Sequence, residues 1–550
     1  MSQASLVVEG RIATLAGPNG FGWVEAVAVA DGRIVAAGSR PDLDGIDGPK
    51  TRRLRLGPDE IAIPGLTDAH LHLADAAIAA SHVDLTEAPT LGQGLAWIAA
   101  REASLTAPEA WLEGHGWDSD RWGGWPTAAD LERVAPGRRV ALWAHDHHSL
   151  WVSSTALAAG GIGPGTPDPD GGAIRRGPGG EPTGVLHETA ARLVSVHLPE
   201  PTADDLVAAL PPLGRALVAL GVVAVHDPGG LVPDPTLRGA YAAYARLADR
   251  GGLPVRVHGC LRQEALGAAE ARGLRSGTVL GDDPLGRARV GWQKLFADGS
   301  LGSRTAAMLD PFVPEPDRPL EPGRERGIWV TPPEQLAELV GRAAAIGISS
   351  QVHAIGDAAL RAALDALEPH VGVSALAPRV EHVQLVADDD LGRFARSGIA
   401  ASVQPVHLRS DAIQARRLWG ERAERSGYPW RSLAESGALL PFGTDAPVEP
   451  IDPWPGIAIA VTRADPGWPA GTGVFGAGEG LSLARALRAA CLDGPLSAGE
   501  GDRGRLVPGH RADLVVLDRD ALEEPVRVGG SLATTRPRRV LIDGEVVFEA

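Results

Sequence analysis

Two histidines two residues apart, His70 and His72 in DAHLHL, are the first residues whose types and spacing suit chemistry. On an extended chain, side chains repeat with period two, so both imidazoles point the same way. Two neutral imidazoles on one face make a chelating pair for a divalent cation; the plainer alternative is a polar strand edge. His353 in SSQVHAIGD, His382 in PRVEHVQL and Asp445 in PFGTDAP add donors of the same kind. The sixth candidate is a lysine. The chain has 52 basic side chains, of which only Lys50 and Lys294 are lysines, and Lys294 lies inside the apolar run VGWQKLF. Burial readily lowers the pKa of a lysine until it becomes a neutral nucleophile, whereas an arginine stays charged. The ordinary alternative is a Lys294–Asp298 ion pair at a strand end. The chain has sixteen histidines, so some fall near strand ends by accident, and His226 and His258 read as neighbours or packing residues.

These residues need elements to position them. Eight strand-like runs lie near 63–73, 222–227, 254–261, 290–296, 348–354, 378–385, 400–406 and 439–446, and most are followed by helical patterns such as DAALRAALDALE, where Asp357 looks like an N-cap. Strand and helix alternating eight times predict an α/β fold, a (β/α)8 TIM barrel. The His pair falls on strand one, Lys294 on four, His353 on five, His382 on six and Asp445 on eight. All sit near C-terminal strand ends, where barrels place their chemistry. About 150 residues separate the first strand from the second, too many for one crossover, so a subdomain inserted after strand 1, at about 100–200, is expected. It is rich in tryptophan. A second excursion, PFVPEPDRPLEPGRERG, reads as a loop from its prolines. Both termini read as short strands, with Asp31-Gly32 and Asp543-Gly544 as hairpin turns. They predict a small β-sandwich built from residues 1–62 and 505–550, around a catalytic barrel at 63–504.

Composition narrows the function. Of the 550 residues, 44% are hydrophobic and 22% charged, and the formal charge is −17. That is ordinary for a soluble protein and argues against nucleic-acid or anionic-membrane partners. Two cysteines, Cys260 and Cys491, give no disulfide framework or cysteine zinc site. No secretory signal and no apolar run of about 18 residues is evident, so a cytoplasmic protein acting on a small molecule is expected. A homo-oligomer stays open, since no interface can be identified.

DAHLHL, KLFADGSLGSRTAAM, QVHAIGDAAL, RVEHVQL and FGTDAPVEPIDPW resemble the amidohydrolase superfamily, and more closely its amidohydrolase-3 branch, which includes N-substituted formamide deformylase-like proteins. The resemblance runs over nearly the whole chain, ending in GRLVPGHRADLVVLD. It implies that His70 and His72 hold one divalent metal with Asp445, that His353 and His382 hold another, and that Lys294 bridges them as a carbamate. The charges are sensible: two divalent cations are opposed by Asp445, a carbamate and a hydroxide, where an ammonium would add repulsion. The donors suit zinc, with iron, manganese or cobalt as alternatives. One departure is ALWAHDHHSLWVSSTAL, where His148 matches the family pattern but His147 replaces the usual glycine and Ser153 the usual asparagine.

The reaction this implies is hydrolysis of a non-peptide C–N bond in an amide or formamide. Water activated by metal attacks the carbonyl, and Asp445 carries its proton to the leaving nitrogen. Candidate substrate-binding residues are Trp117, His148, Gln404 and His407, with Trp122, Trp151 and Trp454 as further candidates for an apolar pocket. Two other readings are a mononuclear deaminase or cyclic-amide hydrolase of the same superfamily, and an inactive regulatory or binding homologue. The lysine argues against the first. The complete ligand set argues against the second.

Overall fold

The computed structural model describes residues 3–550 except 18–19, 44, 106, 108–109, 145–148, 170–171, 231–233, 315–322 and 324. The chain divides into two compact units, one of residues 1–76 and 206–550, the other of 77–205.

The larger unit is built on a parallel sheet of seven strands: Leu66–Asp68, Val222–Asp227, Arg256–Arg262, Ala288–Phe296, Ser350–Ala354, Arg379–His382 and Ala400–Ser402, paired in that order. The eighth run, at 439–445, is not a regular strand, because Pro441 has no N–H to give to a ladder. Its backbone nonetheless bonds both neighbours. Ala401 and Val403 donate to Leu439 and Pro441, Gly443 donates to Val403, Ala69 donates to Phe442, and Asp445 donates to His70. The seventh and first strands are thereby joined and the barrel closes. Helices follow the strands and bury one stripe each. Pro333–Ala345, for example, buries Leu336, Leu339, Val340 and Ala343, the spacing of one helical face. In the next helix, Asp357–Leu367, the N-cap is Gly356 rather than Asp357. The Asp357 carboxylate instead accepts the Leu309 N–H at 2.7 Å.

The barrel interior is unusually polar. Trp292 and Lys294, Gln351 and His353, and Arg379 and Glu381 alternate inward on their strands, and all but His353 are fully buried. Such an interior is tolerable only if its groups are hydrogen-bonded or await a ligand.

In the same unit, both termini join one sheet. The two Asp-Gly turns form as expected, with Asp31, Gly32, Asp543 and Gly544 all at positive φ. In place of two separate sheets there is one that forks. Strand Ala4–Ala13 pairs through its first half with Asp47–Arg55 and through Arg11 and Ile12 with Glu60–Pro64. That strand feeds two cores, Leu6 and Val8 in one and, with an irregularity between Ala4 and Leu6, Ala4 and Val7 in the other.

The smaller unit has its own six-stranded sheet and a tryptophan-rich core in which Trp117 and Trp151 are fully buried. Among the described residues, no helix is long and apolar enough to cross a membrane.

Candidate metal centre

The first barrel strand ends at Asp68, so His70 and His72 lie just past it rather than within it. They are held all the same. Leu71 N donates to His226 O and His72 N to Ala446 O, which keeps the segment extended between its neighbours. Asp68 clamps the corner by accepting the His70 N–H together with the N–H and hydroxyl of Thr444. The eighth run passes very close. A Cβ on Gly443 would stand 2.6 Å from His70 Cβ, so only glycine allows the approach.

Each of three rings has one nitrogen engaged by the protein. His70 Nδ1 lies 2.5 Å from Glu381 Oε2, His72 Nδ1 lies 2.7 Å from Gly229 O, and His353 Nε2 lies 3.0 Å from Gly299 O. An outer acceptor fixes the tautomer and leaves the other nitrogen's lone pair free. For His70 and His72 that nitrogen is Nε2, and both approach Asp445 Oδ1, at 3.4 and 3.5 Å. Lys294 Nζ lies 3.5 Å from His70 Nε2. His382 stacks edge-on to His353 with ring centroids 4.4 Å apart and lies 5.1 Å from His70.

Two of these residues are aimed by strained backbone. Period two along strand six turns Glu381 inward and would turn His382 away. His382 instead adopts φ 75°, and Asp445 adopts φ 63°. Positive φ in a non-glycine residue costs about 1–3 kcal/mol and persists where the surroundings impose it. Here it re-aims both side chains.

The electrostatics match the geometry. Burial, then the nearby lysine, lowers His70 to about 4 and His353 to about 3, so the rings are neutral and can donate lone pairs. Burial lowers Lys294 to about 8. Among the described residues, no carboxylate pairs with its amine, and the alternative partner, Asp298, is committed elsewhere. Its carboxylate accepts the N–H groups of Ala307, Ile355 and Gly356. Burial raises the Asp445 carboxyl, but the neighbouring rings of His70, His407 and His72 outweigh it and hold the group well below the ordinary range. His407 Nε2 lies 3.2 Å from Asp445 Oδ2. Burial opposes charge on His407, yet this contact holds it up to about 9.

Among the described residues, two sets of three donors have their atoms within 4.8 Å of one another inside each set, His70 with His72 and Asp445, and His382 with His407 and Asp445. Neutral His70 and His353 held by outer acceptors, a deprotonated carboxylate and a buried amine that no carboxylate pairs with among the described residues fit a divalent metal. His382 Nδ1 is also buried with no hydrogen-bond partner among the described residues.

The remaining sequence candidates fare differently. Gln404 follows strand seven, and neither atom of its buried amide makes a hydrogen bond among the described residues. His148 lies outside the described residues. Trp117 is corrected to a packing residue: its ring is flanked by Trp122, Trp125 and Trp151, and its indole N–H donates to Leu142 O. Trp151 shares that core, and Trp454 is buried with its N–H on Leu220 O. Ser153 is the fully buried N-cap of helix Ser154–Ala159, accepting from Ala156 N, a duty that serine and asparagine share.

Sequence reasoning missed the residues behind the candidate ligands. Arg379 binds Glu381 through Nε at 2.9 Å, His226 Nδ1 at 2.9 Å, Ala69 O at 2.6 Å and Ser402 Oγ at 2.7 Å, with its guanidinium over Trp292. The signal was present in PRVEH: an arginine and a glutamate in alternation on a strand that must be buried on both faces.

The barrel, the clustering at its C-terminal strand ends and the donor set together define a metal-dependent hydrolase. The sequence matches the amidohydrolase family over residues 59–548, and the chain belongs to that family. It is 31% identical to YtcJ of Bacillus subtilis over 544 residues, 96% of each chain. It is 27% identical to the N-substituted formamide deformylase of Arthrobacter pascens, over 96% of this chain and 95% of that one. A metal-dependent hydrolase from Pyrococcus horikoshii has the same fold at TM-score 0.74 and 27% identity, over 94% of this chain and 98% of that structure.

Proposed function

We propose that the protein hydrolyses a non-peptide C–N bond of an amide or formamide with two divalent ions at this centre. His70, His72 and Asp445 would hold one ion, and His353 and His382 the other. Lys294 would lie between them as a carbamate. Zinc suits the donor set, with iron, manganese or cobalt as alternatives. Bound there, the ions supply Lewis acidity and a water that ionises near neutral pH.

The protein's own groups do the rest. Among the described residues no carboxylate pairs with Lys294, and burial lowers its pKa, so part of its amine is uncharged and can add to carbon dioxide, releasing a proton as the carbamate forms. Glu381, Gly229 O and Gly299 O keep the rings in one tautomer and orientation. Asp445 takes the proton from the attacking water and delivers it to the leaving nitrogen, which is otherwise a poor leaving group. His407 at Oδ2 keeps that carboxylate in place. Gln404 Nε2 is suited to donate to the substrate carbonyl. The relative named a formamide deformylase supports the bond class.

The observation that carries this reading is the convergence of His70 Nε2 and His72 Nε2 on Asp445, with the buried Lys294 amine beside them. The test is a screen of metal-loaded protein against N-substituted formamides, N-acyl amines, ureas and cyclic amides. Turnover of at least one class, lost in Asp445→Asn, is expected; turnover unaffected by that substitution would exclude the assignment.

A further inference from the structure

The opposite mouth of the barrel, at the N-terminal ends of the strands, holds a cavity of about 490 Å³ against the terminal β-sheet. Arg33 and Arg511 reach it from the sheet, while His258, Arg289, Glu500 and Asp502 reach it from the barrel and the segment that leaves it. It lies in the larger unit and shares none of its lining with the metal centre.

His258 is 1% exposed, and both of its ring nitrogens are buried without a hydrogen-bond partner among the described residues. The nearest carboxylate oxygen, Glu500 Oε1, is 4.0 Å from Nε2, beyond hydrogen-bond reach. Two unsatisfied nitrogens on one buried ring are costly unless a ligand or water meets them. Burial lowers this ring to about 4, so it is neutral and offers one donor and one acceptor.

The charges around it do not balance. Arg33 pairs with Asp502, Arg511 and Arg256 with Asp543, Arg256 with Asp513, and Arg503 with Glu500 and Asp513. Arg289 is the odd member. It spends its Nε and one NH2 group on the carbonyls of Gly286 and Gly277, and its nearest carboxylate, Glu500, is 3.9 Å away. Five guanidiniums therefore meet four carboxylates. The surplus positive charge sits at a cavity wall beside an unsatisfied imidazole. Guanidinium forks match the geometry of carboxylate and phosphate oxygens.

We propose that this cavity is a second ligand site, for a small oxyanion, phosphate or carboxylate, bound chiefly by Arg289 with Arg33 and Arg511 around it and His258 at its floor. The site is independent of the hydrolytic assignment.

The test is isothermal titration of inorganic phosphate and, separately, of acetate into the full-length metal-loaded protein, its Arg289→Gln variant and its Arg33→Gln variant. Melting curves check that both variants are folded, and their side chains are exposed enough for folding to survive. The expected result is saturable binding of at least one ion, weakened about tenfold or more by Arg289→Gln and less by Arg33→Gln. Binding of one ion and not the other names the ligand chemistry. No saturable binding, or binding that both variants reproduce at wild-type strength, as an ion at the metal centre would, overturns the proposal.

Discussion

The two mouths of this barrel use buried ionisable groups in opposite ways. At the N-terminal mouth, arginines and carboxylates are largely paired off. Arg256 to Asp513 at 2.8 Å and to Asp543 at 2.7 Å tie the barrel to the terminal sheet, and Arg503 pairs with Glu500 within the segment that connects the two. At the C-terminal mouth, ionisable groups are buried just as deeply but left incomplete. Rings have one nitrogen anchored and one free, among the described residues no carboxylate pairs with the lysine, and two candidate ligands sit on strained backbone. Paired buried charges hold architecture together. Incomplete ones are costly to keep, and a fold retains them where a bound ion completes them.

The sharpest way to break the contrast is to disable the incomplete mouth. Asp445→Asn is expected to lower turnover by about 10³-fold or more while the melting curve is preserved, since a positioned acid–base group accounts for roughly that factor. Lys294→Ala should follow, with a drop of about 10²-fold and reduced metal content by elemental analysis; short carboxylic acids should restore part of the activity by entering the vacated space. Glu381→Gln acts one layer out. It weakens the hold on His70 Nδ1 and leaves Arg379 without its carboxylate, so metal affinity measured by competition with a chelator should fall about 10- to 100-fold. The last effect belongs to the other mouth and concerns stability rather than turnover. Burial raises Glu500, but Arg503 and its neighbours outweigh it and bring the carboxyl to about 2, against an ordinary 4.5. A carboxylate with a depressed folded-state pKa stabilises fully above its unfolded value, and that contribution is lost as pH falls from about 4.5 to 2. It amounts to on the order of 3 kcal/mol. Glu500→Gln should flatten this acid limb in a series of denaturation curves, and an unchanged limb would remove Glu500 from the architecture.

Much of the candidate site was legible in the sequence because barrels place chemistry at strand ends, and strand ends can be read from periodicity. The pair at His70 and His72, with Lys294, His353, His382 and Asp445, falls at one mouth for that reason. What could not be read is how His382 and Asp445 are aimed, since a positive φ leaves no mark on hydrophobic pattern. Arg379 and Glu381 were hidden for another reason: a charged pair inside a barrel runs against the expectation that interiors are apolar. Trp117 misled in the opposite direction, because a large aromatic ring packs a small unit's core as readily as it lines a pocket. The eighth run was found by its residues but not its form, since Pro441 removes a ladder bond while leaving the carbonyls that close the barrel.

The central claim is that the incomplete mouth holds two ions joined by a modified lysine. It is tested most directly by a crystal structure of metal-replete protein with anomalous data. The account predicts two metal peaks within the cluster of His70, His72, His353, His382 and Asp445, with branched density extending from Lys294 Nζ between them. A single peak, or none, beside an unbranched amine would contradict it.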